Sequence, residues 1–243
     1  MAKRFKAFFS HLTISLLIAL VAAFLVFKVW YPFPLQLATG VTTLFLMLLI
    51  IDVILGPSLT LLVYKPGKKT LIMDLTVIAC LQVAALAYGL HSVADGRPAW
   101  ITFAVDRFEL VRVPDIDTEH LGKVKHYQTA PWTGPEWVTA QMPFDLNARN
   151  SITIESALGG TDIHQRPALY QPIERAKESI QRQAQSLDQL SNFNPANQVQ
   201  KTLTNHPTAS AWLPLKANHQ DMTVLINKET ADVIAIVDLR PWE

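Results

Sequence analysis

The chain has 243 residues, half of them hydrophobic, and a formal net charge of +1. That near-neutral total hides a split: residues 1–90 carry seven Lys/Arg against two Asp/Glu, whereas residues 91–243 carry fourteen against eighteen. No basic stripe interleaved with aromatics is present, so a nucleic-acid partner is not expected, and a single cysteine, Cys80, excludes an intramolecular disulfide.

Three apolar stretches precede His91, at about 12–30, 35–63 and 70–90. Each provides the roughly 20 residues of helix that cross about 30 Å of hydrocarbon. The first follows Lys3, Arg4 and Lys6, as a signal peptide would, but its apolar run is too long and no small-x-small cleavage site precedes Trp30 and Tyr31. It is expected to stay as a membrane helix. Lys65, Lys68 and Lys69 lie between the second and third stretches, while the Tyr31–Pro34 loop carries no charge. The positive-inside rule then places the N-terminus and the second loop in the cytoplasm. Three crossings leave residues 91–243 outside, in the periplasm of a Gram-negative cell. Trp30, Tyr31 and Phe33 fall at the outer interface, and Lys28 can snorkel to it along its four-carbon stem.

Asp52 is the sharpest feature of the membrane part. A carboxylate at mid-span costs about 2.5 to 3.5 kcal/mol on insertion scales, so a chain keeps one that has a partner or a task. Gln82 falls at a similar depth on the third helix and can donate to it, which would fix the packing of the two helices. Alternatively, Asp52 is a polar docking point for another transmembrane helix; both roles can hold together. Pro57 is expected to kink the second helix, because it cannot donate to the carbonyl of Val53. Gly56 offers a close-approach surface beside that kink, and the Thr60 hydroxyl can return a bond to the freed backbone. Asp74 is expected to pair with Lys68 or Lys69. Cys80, inside helix three without a neighbouring His, is expected to serve packing. One central acid is too little for a proton pathway.

The remainder has the composition of a soluble domain. Strands are expected over Trp100–Val105 and Phe108–Val113, then a short helix over Ile116–Lys125. Thr129–Pro143, with three prolines and two tryptophans, predicts an irregular segment or an edge strand. Asp145 can cap a helix that Gly159-Gly160 ends. Pro172–Leu190 is the clearest helical pattern, with Ile173, Ile180, Leu187 and Leu190 on one side. Asn194-Pro195 opens another short helix reaching Thr204. The C-terminus predicts a meander of Ala211–Lys216, Met222–Asn227 and Val233–Leu239.

The expected architecture is three transmembrane α-helices (residues 1–90), followed by an α+β periplasmic domain (residues 91–243) with a mostly antiparallel sheet. Catalytic signals are poor. The seven histidines are dispersed, and Glu119-His120 with His126 reads more simply as a solvated face than as a metal site. Ser156 lacks a nucleophile-elbow pattern. No enzyme activity, cofactor, metal or small-molecule substrate is expected.

One long run carries more information than any short motif. Asp-Val-Ile-Leu-Gly-Pro-Ser-Leu-Thr-Leu-Leu-Val-Tyr-Lys-Pro-Gly-Lys-Lys spans residues 52–69, followed by Leu-Ile-Met-Asp-Leu at 71–75, Gln82, and Ala-Tyr-Gly at 87–89. Arg-Pro-Ala-Trp at 97–100, Phe103 and Asp106-Arg107-Phe108 continue the pattern. These residues resemble the signature of the TfpX/TfpZ type IV pilin accessory proteins, densely from about residue 5 to 113 and weakly beyond. The resemblance implies an inner-membrane accessory factor or chaperone for the major type IV pilin, active in pilus assembly, with membrane lipids as its other surroundings. Read together with the residues, it gives a pilin-helix binding set of Asp52, Gly56, Pro57, Thr60 and Gln82. A membrane-anchored sensor or immunity-type inhibitor of another periplasmic protein, or an anchored enzyme, shares the same topology.

Overall fold

The computed structural model describes residues 2–121 and 123–242. The chain divides into two compact units, Met1–Gln36 with Gly40–Gly96, and Leu37–Thr39 with Arg97–Glu243.

In the first unit, α1 spans Ala2–Phe24 and continues as a π-helical turn, Leu25–Trp30. It starts well before the expected residue 12, because no Gly or Pro interrupts the basic N-terminal residues. Pro32 and Pro34 end it. The expected helix over 35–63 is broken: α2 is a single turn, Leu35–Ala38, and α3 spans Val41–Val63. Gly40 between them has φ +73°, a left-handed conformation that a residue with a Cβ adopts at a cost. After the Tyr64–Thr70 loop, α4 spans Leu71–Asp95, longer than the expected 70–90. Among the described residues, Ala2–Trp30, Val41–Val63 and Leu71–Asp95 are the three helices long and apolar enough to cross a membrane. Helix α3 packs against α1 and against α4, around a core that includes Val26, Trp30, Phe45 and Leu49.

The second unit is built on a seven-stranded sheet of order β4-β3-β1-β2-β5-β6-β7. Its strands are β1 (Pro98–Ala104), β2 (Arg107–Arg112), β3 (Glu136–Ala140), β4 (Tyr170–Pro172), β5 (Ala211–Lys216), β6 (Met222–Ile226) and β7 (Val233–Val237). Its helices are α5 (Leu146–Ala157), α6 (Lys177–Gln183) and α7 (Ala196–Thr204). Every residue of β1 and of β6 is buried. One core gathers on Trp100, Tyr127, Val138, Ile152 and Tyr170, and another on Leu190, Val199, Trp212 and Leu225.

The sheet is mixed, which corrects the mostly antiparallel expectation. The β1–β2 hairpin and the β5–β6–β7 meander are antiparallel, as short turns require. Strands β3 and β5 arrive after long connections and join β1 and β2 in parallel. Strand β3, expected to be irregular or an edge, lies inside the sheet because the three-residue β4 covers its outer side.

Two helical expectations fail. Over Ile116–Lys125 the described residues form no α-helix, and a 3-10 turn follows at Lys125–Gln128; residue 122 lies outside the described residues. The expected 172–190 helix shortens to α6, flanked by 3-10 turns at Ile173–Ala176 and Leu187–Asn192. The chain leaves the helix because Gln185 pairs with Trp212 of β5, N–H to O in both directions at 2.9 and 3.0 Å. The cap on α5 forms as expected: the Asp145 carboxylate accepts from Ala148 N at 2.7 Å.

Val105, at the tip of the β1–β2 hairpin, has φ +61°. The Asp106 N–H donates to the Ala104 carbonyl at 2.8 Å, closing a three-residue turn of the strained kind. A β-branched residue in this region costs about 1–3 kcal/mol, and Val105 is 73% exposed, so its side chain returns little burial. Val105→Gly is therefore expected to raise stability by up to about 1 kcal/mol, the relief of strain being partly offset by the chain entropy of glycine. A thermal-unfolding midpoint higher than wild type checks it.

Candidate functional site

Helix α3 carries its polar groups on two faces. Towards α1, Thr60 is 3% exposed and its hydroxyl meets His11 Nδ1 at 2.6 Å. Nearby the Arg4 guanidinium donates to the Leu61 carbonyl. The Thr60 hydroxyl therefore serves the α1 contact, not the backbone freed by Pro57, which corrects the sequence expectation. The hydroxyl that returns to the helix backbone is that of Ser58, donating to Ile54 O at 2.7 Å. Helix α3 continues unbroken through Pro57.

Towards α4, Gln82 Nε2 donates to the main-chain carbonyl of Asp52 at 3.0 Å and reaches Asp52 Oδ1 only at 3.5 Å. The expected Asp52–Gln82 contact is present, but its short bond goes to the backbone, where a helical carbonyl keeps a second lone pair. Among the described residues the Asp52 carboxylate is left with one long bond. Gly56 makes the arrangement possible: a Cβ there would lie 1.9 Å from Gln82 Nε2. The close-approach surface expected at Gly56 is thus taken up by Gln82 of the same chain.

Between α3 and α4 runs a groove of about 620 Å³, lined by α3 from Leu44 to Leu59 and by α4 from Ile78 to Leu86. Apart from Asp52 and Gln82 its side chains are apolar. Asp52 lies eleven residues from Val41 and twelve from Tyr64, about 16–18 Å from either end of α3 at 1.5 Å per residue. Of the five predicted site residues, the groove gathers Asp52, Gly56 and Gln82. Pro57 and Thr60 are buried and do not line it.

The His11–Thr60 and Arg4–Leu61 contacts escaped the sequence reading, which began the first helix at residue 12 and took Arg4 as a topology signal. The available signal was a histidine and an arginine next to a long apolar run, spaced to share its helix. At the same end of the helices Asp74, in the first turn of α4, pairs with Lys68 at 2.6 Å and accepts from Thr70 at 3.2 Å.

In the second unit, His120 Nδ1 meets Asp117 at 2.8 Å and His126 Nε2 meets Glu136 at 2.8 Å. The two histidines thus bond to separate carboxylates, and among the described residues no group of three or more His, Cys, Asp or Glu is placed to hold a metal ion. The exposed apolar surface of this unit includes Phe144, Leu146, Ile154 and Leu158. The last three share a register of four along α5 and its C-terminal cap, which puts them on one helix face.

The family described as "Fimbrial assembly protein FimB" matches residues 1–40. Over nearly its whole length the chain is also 30% identical to the "Fimbrial assembly protein, serogroup E1" of Dichelobacter nodosus, covering 96% of this chain and 94% of that protein. The chain belongs to the fimbrial assembly protein family. The serogroup I protein of the same organism is 29% identical, again over 96% of this chain and 94% of its own. A third family member, from serogroups C1 and C2, is 36% identical over 46% of this chain and 86% of its own. No solved structure matches. The family match at 1–40 covers α1 and stops before the groove lining begins at Leu44, whereas the full-length similarity includes the groove.

Proposed function

We propose that this protein is an inner-membrane accessory factor that binds and stabilises the major type IV pilin before or during pilus assembly. The α3–α4 groove carries the reading: an apolar channel at mid-span with one incompletely bonded carboxylate is suited to a second transmembrane helix. Family membership supplies the process, since the relatives are named fimbrial assembly proteins. The charge of the short loops supports a cytoplasmic N-terminus and a periplasmic second unit.

A pilin waiting in the membrane has one apolar helix and a globular head. In this reading the groove takes the helix, and the exposed face of α5 with Phe144 is available to the head. Two modest contacts on one anchored partner reinforce each other through effective concentration. The role is non-enzymatic: the protein holds pilin and keeps its helix from other associations.

Deleting the gene and measuring pilin abundance and surface pili tests the proposal. Loss of pili, with lowered pilin, is expected. Normal values of both would remove the pilin reading.

A further inference from the structure

Among the described residues, two acceptors beside the groove lack their full complement of hydrogen bonds. Gln82 Oε1 is buried and has no hydrogen-bond partner among the described residues. Exchanging the amide atoms would set Oε1 against the Asp52 carbonyl oxygen, so the donating Nε2 fixes the orientation. Among the described residues the half-buried Asp52 carboxylate accepts one bond, at 3.5 Å, although a carboxylate offers about four acceptor positions. The His11 ring is engaged by Thr60 at 2.6 Å on the α1 side. At this depth no water is at hand to satisfy such groups.

We propose that the helix held in the α3–α4 groove is selected by a side-chain N–H or O–H donor at mid-span, which bonds to the Asp52 carboxylate and Gln82 Oε1. The proposal rests on the reading of the groove as a helix site, and not on that helix being pilin. A lipid acyl chain fills apolar volume but donates nothing, and a purely aliphatic helix leaves both acceptors unsatisfied. A helix with Asn, Ser, Thr or Lys at the matching depth is complementary in shape and polarity.

The test uses the full-length protein in proteoliposomes and two labelled probe peptides of about 20 leucines with lysines at both ends, one of them with a central asparagine. Association is read by energy transfer at peptide densities low enough to keep each probe monomeric. The asparagine probe is expected to bind roughly three- to tenfold more tightly than the all-leucine probe. Gln82→Met, close in shape, and Asp52→Leu should each shrink that preference. Equal binding of the two probes to wild type would overturn the proposal and mark the groove as a general apolar surface, lipid included. A preference that survives both substitutions would overturn it too, by placing the donor contact elsewhere. Donor preference without pilin recovery would strike the identity of the partner and leave this inference standing.

Discussion

Replacing Asp117 with alanine is expected to destabilise the second unit by about 3–5 kcal/mol, the range for breaking a buried charge pair from one side. Asp117 is 6% exposed. Its carboxylate accepts from Thr161 Oγ1 at 2.7 Å, from His120 Nδ1 at 2.8 Å, and from the N–H groups of Glu119 and His120 at 3.0 Å each. Arg166, 4% exposed, lies 4.0 Å away and also pairs with Glu155 at 2.8 Å. Alanine would leave a buried guanidinium short of one counter-charge and two backbone donors without an acceptor. Burial alone would push the Asp117 carboxyl up, but the bonds from Thr161 and His120 outweigh it and hold the group below the usual carboxylate range. The folded value is depressed, so this contribution is present above the unfolded value, near 4, and is lost as pH falls through the folded value. Thermal-unfolding midpoints measured from pH 7 downward should fall more steeply below about pH 4 in wild type than in Asp117→Asn.

Trp212→Ala should cost a similar amount, about 3–5 kcal/mol. Trp212 is fully buried, and its Nε1 donates to the Ser186 carbonyl at 2.9 Å while its backbone pairs with Gln185. The change removes a large core side chain and loosens the segment that leads away from α6. Trp212→Phe keeps most of the volume and should cost much less, chiefly the lost bond of about 1 kcal/mol. Chemical denaturation of the two variants separates these terms.

That same pairing explains where sequence reading stopped. Residues 172–190 carry helical periodicity, and local preference has no knowledge of an edge of β5 waiting for Gln185. The meander of β5, β6 and β7 was legible because alternating β-branched runs and Asn-rich turns act locally. The parallel pairings of β3 and β5 were not, since they depend on where long connections deliver a strand. In the first unit, length and hydropathy mark directly the three helices able to cross a membrane. The break at Gly40 was missed because an apolar run conceals a single left-handed glycine.

The candidate site was legible in part. A lone acid and a glutamine at matching depth pointed to each other, and they do meet. Which oxygen the amide selects, and that Gly56 clears room for Gln82 itself, required the helix geometry. Thr60 was assigned to the proline kink because its partner, His11, lies on a helix distant in sequence.

Purifying this protein from the membranes of piliated cells, and quantifying the major pilin that accompanies it, puts the central claim to its most direct test. Wild type is expected to carry pilin, and Asp52→Leu about three- to tenfold less while remaining in the membrane at normal level. Asp52→Asn keeps an acceptor oxygen at the site and should retain more than the leucine variant. Equal pilin recovery with wild type and Asp52→Leu, both present at the same level, would contradict pilin binding through the groove.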